Sequence, residues 1–189
     1  MIGYAFCGSY CTFSRSIESL KRLVACGYDI QPIMSERAYS EDTRFFKADE
    51  FSKLVSAITG KSIIHTVVDA EPLGPKHPLD ALIVAPCTGN TLAKISMGIT
   101  DSAVTMAAKA HLRSDRPLLI ALASNDAMSQ NLGNIGSLLL RKSVYFVPLC
   151  QDDPKKKPHS LVADMERVPE AFENMMHGVQ MRPLFLEPK

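Results

Sequence analysis

The sequence lacks an excess of charge of either sign, and it lacks long apolar runs. Lysine and arginine together number 21 against 20 aspartate and glutamate residues, which gives a net charge of +1. This balance excludes the basic footprint of a nucleic-acid-binding protein or of a protein that docks on an anionic membrane. No apolar stretch approaches the length of a membrane span, and the apolar start from Ile2 to Cys7 is too short for a secretory signal. We therefore expect no nucleic-acid partner and no membrane partner.

The sequence also lacks paired cysteines. It has five, an odd number, with no Cys-x-x-Cys pair and no histidine spacing typical of zinc. They are Cys7, Cys11, Cys26, Cys87 and Cys150. We expect no disulfide framework, no metal site and a reducing, cytoplasmic compartment. Cys7, Cys26 and Cys150 lie in or beside apolar segments and are interpreted as small core residues.

The glycine fingerprint of dinucleotide-binding proteins is missing as well. The residues from Gly8 to Ser14 follow the first predicted strand and read Gly-Ser-Tyr-Cys-Thr-Phe-Ser, without the later glycines of that fingerprint. A hydroxyl-rich turn before a helix suits a single phosphate better than a pyrophosphate. The hydroxyl residues are also explained if Thr12 or Ser14 caps the following helix. Capping and phosphate binding are compatible roles.

What the sequence does contain is a repeated alternation of apolar runs and helical patterns. Strands are predicted at residues 2–7, 28–34, 62–67, 79–85, 117–123 and 144–149. Helices are predicted at 14–26, within 45–58, as one or two helices within 91–112, and at 130–142. This order predicts an α/β fold, a doubly wound parallel sheet of the Rossmann or flavodoxin-like type with three layers and a single domain.

The composition changes after position 150. Residues 1–150 are predicted to form the α/β domain, and residues 151–189 a loop, a helix and a tail packed on it. Ser160 is predicted to cap a helix that runs through Met176. The tail from Arg182, with apolar Phe185 and Leu186, is expected to fray unless a partner surface holds it. Residues 69–78, with three prolines and a glycine, are predicted to be a loop.

The most informative segment runs from Asp80 to Asp101 and reads DALIVAPCTGNTLAKISMGITD. An apolar strand breaks at Pro86 into a polar turn, and a helical pattern follows. Unpaired N–H groups at a helix N-terminus bind anions. Thr88, Asn90 and Thr91 add side-chain donors there. The same pattern also fits an ordinary strand-to-helix connection with a polar cap.

This segment resembles the central motif of the homo-oligomeric flavin-containing decarboxylase family, A-P-x-[ST]-A-N-T-[IL]-A-K-[IM]-x-x-G-x-[AC]-D. Ten residues match it in register, and they are Ala85, Pro86, Thr88, Asn90, Thr91, Leu92, Ala93, Lys94, Gly98 and Asp101. The resemblance extends from about residue 2 to about residue 148. It implies a flavodoxin-like fold, a flavin mononucleotide (FMN) cofactor and a homo-oligomer, a trimer or a multiple of one.

The resemblance also implies positions for the flavin site. The implied residues follow four strands, and they are Gly8, Ser9 and Cys11, then Ser35, then Pro86, Thr88, Asn90 and Thr91, then Ser124 and Asn125. Ser35 opens a Ser-Glu-Arg-Ala segment similar to the family's T-x-x-A element, and we interpret Arg37 as a surface cation rather than a ligand. Asn125 keeps one position of the family's P-A-M-N-x-x-M element, where an amide binds a carboxylate or a ring nitrogen. It also fits a helix cap.

Three departures from the family bear on chemistry. The decarboxylase branches have a catalytic histidine upstream of the central motif, whereas His77 lies in a proline-rich loop and His65 in an apolar stretch. Leu122 and Ser124 replace the proline and methionine of P-A-M-N. Met106 stands where the prenyltransferase branch has a phosphate-binding arginine. These departures disfavour decarboxylation and prenyl transfer.

The start of the chain and its late Asp-Asp-Pro-Lys segment resemble a branch of the family from endospore-forming bacteria. That branch implies a two-subunit oxidoreductase that converts a dihydropyridine dicarboxylate into its aromatic form. The unlike partner would bring NAD(P), and this chain would be inactive alone. The candidates for catalysis are Asn125 and Lys94, although Lys94 also fits a solvated helix lysine. The alternatives are a non-catalytic stabilising subunit without flavin, a flavin-dependent decarboxylase or a flavin prenyltransferase.

Overall fold

The structure is a computed structural model that describes residues 1–74 and 76–187. Its strands are β1 (Ile2–Phe6), β2 (Ile30–Met34), β3 (Ala81–Thr88), β4 (Leu118–Ser124), β5 (Val144–Phe146), β6 (Leu149–Cys150) and β7 (Leu161–Ala163). Its helices are α1 (Phe13–Ala25), α2 (Glu36–Ser40), α3 (Ala48–Thr59), α4 (Val67–Ala70), α5 (Gly89–Met97), α6 (Ala103–Leu112), α7 (Gln130–Leu139) and α8 (Val168–Met176). Short 3-10 turns precede α1 and α8 and follow α4.

The first five strands form a parallel sheet in the order β2-β1-β3-β4-β5. Strands β3 and β4 are apolar almost throughout because helices cover both faces of the sheet. Helices α1, α3 and α8 pack on one side, and α5, α6 and α7 pack on the other. The structure therefore has the predicted doubly wound α/β architecture.

The sheet is not wholly parallel, which corrects one part of the prediction. Strand β7 runs antiparallel to the end of β4 and pairs on its other side with β6, also antiparallel. The predicted strand at 144–149 is two strands, β5 and β6, because Pro148 has no N–H group to continue a ladder. Ser160 does not cap a helix. It leads directly into β7, and α8 begins later, at Val168, with a proline in its first turn.

The predicted strand at 62–67 was also wrong. Only Ile64 pairs with β2, by a single bridge to Ile33, before Thr66 caps the short helix α4. The predicted loop at 69–78 contains the end of α4 and a 3-10 turn, and its Pro75 lies outside the described residues. The helical segment at 91–112 is two helices. Gly98 ends α5 in the left-handed conformation, with φ of 74°, where a side chain would be strained.

The tail is held by its own domain as far as residue 187, contrary to the expectation that it would fray. The Leu149 N–H group donates to the carbonyl oxygen of Leu184 at 2.8 Å, and the Leu186 N–H group donates to that of Leu149 at 2.8 Å. Upstream, the Gln180 side chain accepts from the Phe146 N–H group and donates to its carbonyl oxygen. Pairing of the sheet edge thus holds the backbone, although the Phe185 side chain stays 56% exposed. Pro188 and Lys189 lie outside the described residues.

In the described part of the chain, no helix is long and apolar enough to cross a bilayer. The described cysteines are all free. Cys7 and Cys87 are buried, whereas Cys26 is exposed and Cys150 is half-buried, so the interpretation of Cys26 as a core residue was wrong.

Candidate functional site

A cleft of about 680 Å³ opens at the carboxyl ends of β1, β2 and β3. The strand order reverses between β1 and β3, and ligands of open α/β sheets bind at such switch points. The cleft is lined by Gly8, Tyr10, Ser35, Glu36, Arg37, Glu41, Thr88, Asn90, Thr91, Lys94, Asp101 and Ser102. Three of the four predicted loops therefore meet here, those after β1, β2 and β3.

The N-terminus of α5 forms one wall of the cleft. The Thr88 hydroxyl accepts a hydrogen bond from the Thr91 N–H group at 3.1 Å and donates to the Thr91 hydroxyl at 3.0 Å. The next two N–H groups, of Gly89 and Asn90, belong to the first helical turn, which has no intrahelical acceptors for them. Of these two residues Asn90 lines the cleft, so its N–H group and the positive end of the helix dipole lie at this wall.

A break in strand pairing shapes the turn before α5. The β3–β4 register shifts between Val84 and Cys87, so that one extra residue is accommodated at Ala85 and Pro86. The Pro86 carbonyl oxygen accepts from the Cys7 N–H group at 3.2 Å, which ties the bulge to β1. Pro86 itself is buried and does not line the cleft. Its position supports the turn rather than contacting a ligand.

Hydrogen bonds within the loop after β1 occupy several of its own donors. The Ser9 N–H group donates to the Cys7 carbonyl oxygen, and both the N–H group and the hydroxyl of Thr12 donate to the Ser9 carbonyl oxygen, at 3.0 and 2.7 Å. Thr12 therefore does not cap α1 with its side chain, contrary to one interpretation of this loop. Gly8 lines the cleft, whereas Ser9 does not and Cys11 is exposed away from it.

Helix α2 forms the opposite wall. Ser35 caps it by accepting from the Ala38 N–H group at 3.3 Å. The Tyr10 hydroxyl reaches across from the β1 loop and donates to Glu41 Oε2 at 3.2 Å. Glu36 accepts from the Ala103 N–H group, at the start of α6, at 3.2 Å. These contacts place side chains from three separate loops on one cleft.

Charges in the cleft are largely paired. Lys94 Nζ lies 2.7 Å from Asp101 Oδ2, and this hydrogen bond lowers the pKa of the Asp101 carboxyl below its usual value. Arg37 Nε lies 3.9 Å from Glu41 Oε1. The Lys94 side chain is only 27% exposed, so it is not a freely solvated lysine. An anionic ligand would have to compete with Asp101 for it.

Cys7 lies behind the cleft and is fully buried. Burial raises the pKa of its thiol to about 11, against the opposing effect of a hydrogen bond with Thr91. The thiol therefore stays protonated near neutral pH. It acts as a core residue and not as a nucleophile.

The loop after β4 does not reach the cleft as predicted. Asn125 is exposed in a turn, does not line the cleft and does not cap α7, which begins at Gln130. Ser124 is buried and donates to Asp126 Oδ1, which also accepts from Asn131 Nδ2 at 3.0 Å. These bonds lower the pKa of the Asp126 carboxyl, the Ser124 bond contributing most.

Sequence reasoning missed several residues that line the cleft. They are Tyr10, Glu36, Glu41, Asp101 and Ser102. Arg37, which we interpreted as a surface cation, also lines the cleft. The signal for Glu36 and Arg37 was present, since they follow Ser35 directly at the end of β2. No spacing in the sequence marked Tyr10 and Glu41 as partners, because their contact joins two loops.

Comparison with known proteins gives consistent results. Residues 1–168 match the family model described as Flavoprotein. Over 186 residues the chain is 39% identical to the B subunit of dipicolinate synthase from Bacillus subtilis (strain 168), with coverage of 98% of this chain and 93% of that protein. Among solved structures, the dipicolinate synthase B subunit from Bacillus halodurans C is 39% identical, with a TM-score of 0.91 and coverage of 100% of this chain and 96% of that one.

More distant structures share the fold. The FMN-dependent cysteine decarboxylase SpaF superposes with a TM-score of 0.67 at 20% identity, over 94% of this chain and 95% of that one. The predicted flavodoxin-like architecture is confirmed by these superpositions.

Proposed function

This chain belongs to the flavoprotein family, as its central motif indicated, and on that premise we propose that it supplies the flavin cleft of a two-subunit dipicolinate synthase. The complex would oxidise dihydrodipicolinate to dipicolinate during endospore formation, in the cytoplasm of the mother cell. The observation that carries this proposal is the 39% identity to the Bacillus subtilis B subunit over almost the full length of both chains. The cleft at the switch point supports it.

The cleft fits a flavin nucleotide in size and in the chemistry of its donors. Its volume of about 680 Å³ accommodates a cofactor-sized ligand. The N-terminus of α5, with the Asn90 N–H group in its first turn, would supply a donor for an anion, and Thr88, Asn90 and Ser35 would supply polar side chains. FMN bound here would supply a hydride acceptor, and aromatisation of the substrate ring favours hydride loss.

Lys94 is the residue of this chain that we assign to substrate binding. Its ammonium group lies in the cleft with Asp101 as its partner at 2.7 Å. A substrate carboxylate would replace Asp101 and keep the ammonium paired. Asn90 lines the same wall, one helical turn before Lys94, and its amide would orient the substrate. Asn125, the other predicted catalytic candidate, lies in an exposed turn away from this wall and is not part of the proposal.

We propose that the chain is inactive without the A subunit of dipicolinate synthase, through which NAD(P) would enter the reaction. No histidine is present among the described residues that line the cleft, and its two cations, Arg37 and Lys94, are already paired with Glu41 and Asp101. A partner that covers the open cleft would exclude water from the site of hydride transfer.

We further propose a homo-oligomer, a trimer or a multiple of one. Several large apolar side chains on α5, α7 and the residues that follow them are exposed, namely Met97, Ile99, Leu132 and Leu140. The two helices pack against each other, and a shared apolar face of this kind favours association. Light scattering of the purified chain tests this, and a strict monomer at micromolar concentration contradicts it.

The function is tested by co-expression with the A subunit, followed by flavin absorption and dipicolinate formation. We expect a yellow complex that forms dipicolinate and an isolated chain that does not. Lys94→Ala is expected to abolish most turnover while the flavin band remains. The matched control is Lys53→Ala, which breaks an exposed Lys–Asp pair on α3 and is expected to leave turnover unchanged. A colourless but active complex, or full activity of the isolated chain, would contradict the proposal.

A further inference from the structure

The backbone of Gly8 faces the cleft, and the phenol ring of Tyr10 covers it. A Cβ atom built on Gly8 would lie 3.4 Å from Tyr10 Oη and 3.5 Å from Tyr10 Cζ. The ring therefore lies in contact with Gly8 on the side where a side chain would project. A phosphate placed beside Gly8 in the cleft would lie close to the Tyr10 hydroxyl.

Contacts from the opposite wall hold the phenol in this place. Its hydroxyl lies 3.2 Å from Glu41 Oε2 and 3.3 Å from the carbonyl oxygen of Arg37, so it bridges the β1 loop and α2. Burial and, after it, the hydrogen bond with Glu41 raise the pKa of the Tyr10 phenol, so the group remains a protonated donor at neutral pH. Glu41 thus presents an anionic acceptor to Tyr10 at the mouth of the cleft.

Glu41 has a second partner within reach. Its other carboxylate oxygen, Oε1, lies 3.9 Å from Arg37 Nε, one helical turn earlier on α2. The Arg37 side chain is 81% exposed, so it is free to turn toward the carboxylate. If Glu41 loses Tyr10, its charge remains paired.

We propose that Tyr10 and Glu41 select for a ligand that carries a phosphate. The phosphate replaces Glu41 as the acceptor of the Tyr10 hydroxyl, and Glu41 turns to Arg37. The carboxylate thereby acts as an internal competitor that a phosphate dianion displaces and that an uncharged hydroxyl cannot displace. This inference rests on the proposed flavin cleft and adds the residues that distinguish FMN from riboflavin.

The test compares FMN with riboflavin, which lacks the phosphate, by flavin fluorescence titration of the full chain. Glu41→Gln removes the competing charge, so we expect it to tighten FMN binding roughly five- to tenfold. Tyr10→Phe removes the donor, so we expect it to weaken FMN binding by a similar factor, roughly five- to tenfold. Neither substitution is expected to change riboflavin binding by more than about twofold, because riboflavin has no phosphate to accept from Tyr10.

The matched controls come from a second tyrosine–glutamate hydrogen bond in the chain. Tyr28 donates to Glu173 at the opposite end of the sheet, far from the cleft. Tyr28→Phe and Glu173→Gln remove the same chemical groups, and we expect no change in the binding of either flavin. Parallel changes for FMN and riboflavin in the cleft variants, or changes no larger than those of the controls, would overturn the inference.

A wild-type chain that binds neither flavin would overturn the proposed cofactor but not yet this inference. Inorganic phosphate alone then decides it, with binding measured by calorimetry. Binding that strengthens in Glu41→Gln and is lost in Tyr10→Phe supports the selecting pair. Phosphate binding that neither substitution changes, or the absence of phosphate binding in every variant, refutes the inference.

Discussion

Gly89, the first residue of α5, offers a test of how the turn after β3 is packed against the loop after β4. In the family pattern an alanine stands at this position and a methionine at that of Ser124. Here a Cβ built on Gly89 would lie closest to Ser124 Oγ, and also 2.7 Å from Asn131 Nδ2 and 2.8 Å from Asp126 Oδ1. All three atoms belong to one hydrogen-bonded cluster. Gly89→Ala therefore places a methyl group inside an occupied space.

The expected cost follows from two opposing effects. Alanine is a better helix former than glycine by up to about 1 kcal/mol, and by less at the first position of a helix. Overpacking a buried site costs about 1–3 kcal/mol, and each hydrogen bond that must lengthen in the cluster adds about 1 kcal/mol. Ser124 and Asn131 are themselves buried and cannot move aside freely. We expect Gly89→Ala to lower the free energy of unfolding by about 2 kcal/mol.

Urea denaturation followed by circular dichroism measures this change. Gly133→Ala is the matched control, because Gly133 lies in α7 with nothing within 4 Å of a built Cβ. It is expected to stabilise the protein by about 0.5–1 kcal/mol. Adding Ser124→Ala to Gly89→Ala removes the nearest atom and should recover part of the loss, a coupling that a double-mutant cycle reports. A Gly89→Ala protein as stable as the wild type would refute the packing argument.

Three further predictions concern Thr88, Gln180 and the buried His111, whose ring Nε2 lies 2.8 Å from the carbonyl oxygen of Pro117. Thr88→Val removes the cap of α5, and we expect urea denaturation to show a free energy of unfolding lower by about 1 kcal/mol. We expect fluorescence titration to show FMN binding weaker by about 1 kcal/mol as well. Gln180→Ala leaves the buried N–H and carbonyl groups of Phe146 without their partners, and we expect a loss of about 1–3 kcal/mol in urea denaturation, against no change for exposed Gln130→Ala. The pKa of His111 is lowered below its ordinary value of 6.5, mainly because the side chain is buried. As the pH falls, the unfolded chain therefore binds a proton at this histidine before the folded chain does. Stability from the neutral imidazole is thus present above about pH 6.5 and is lost below it, and His111→Asn is expected to flatten this slope in unfolding measurements from about pH 7 to about pH 5.5.

The central part of the fold could be predicted from local sequence alone. Strands β1, β3 and β4 are apolar runs, and α1 has apolar residues at helical spacing followed by Gly27. The spacing of apolar residues and the glycine that ends the helix are therefore sufficient to identify these elements. The capped N-terminus of α5 was predictable for the same reason. Its cap, Thr88, and its donors lie within four residues of one another.

The edge of the sheet could not be predicted in this way. Strands β6 and β7 have only two and three residues, too few for a periodic pattern, and they exist because β4 and the tail supply partners distant in the chain. Ser160 was misassigned as a cap for this reason. Its neighbour Leu161 pairs with Ser124, and that pairing overrides the local preference for a helix start.

The same distinction between local sequence and long-range contacts applies to the residues that line the cleft. The sequence by itself determined which turns carry donors, because each turn follows its own strand directly and the carboxyl ends of parallel strands share one edge. Only the tertiary structure decided that Tyr10 meets Glu41, that Lys94 meets Asp101, and that Asn125 lies outside the cleft. These contacts depend on the relative positions of separate loops and helices. Those positions are set by the packing of the helices on the sheet, which no short segment of the chain encodes.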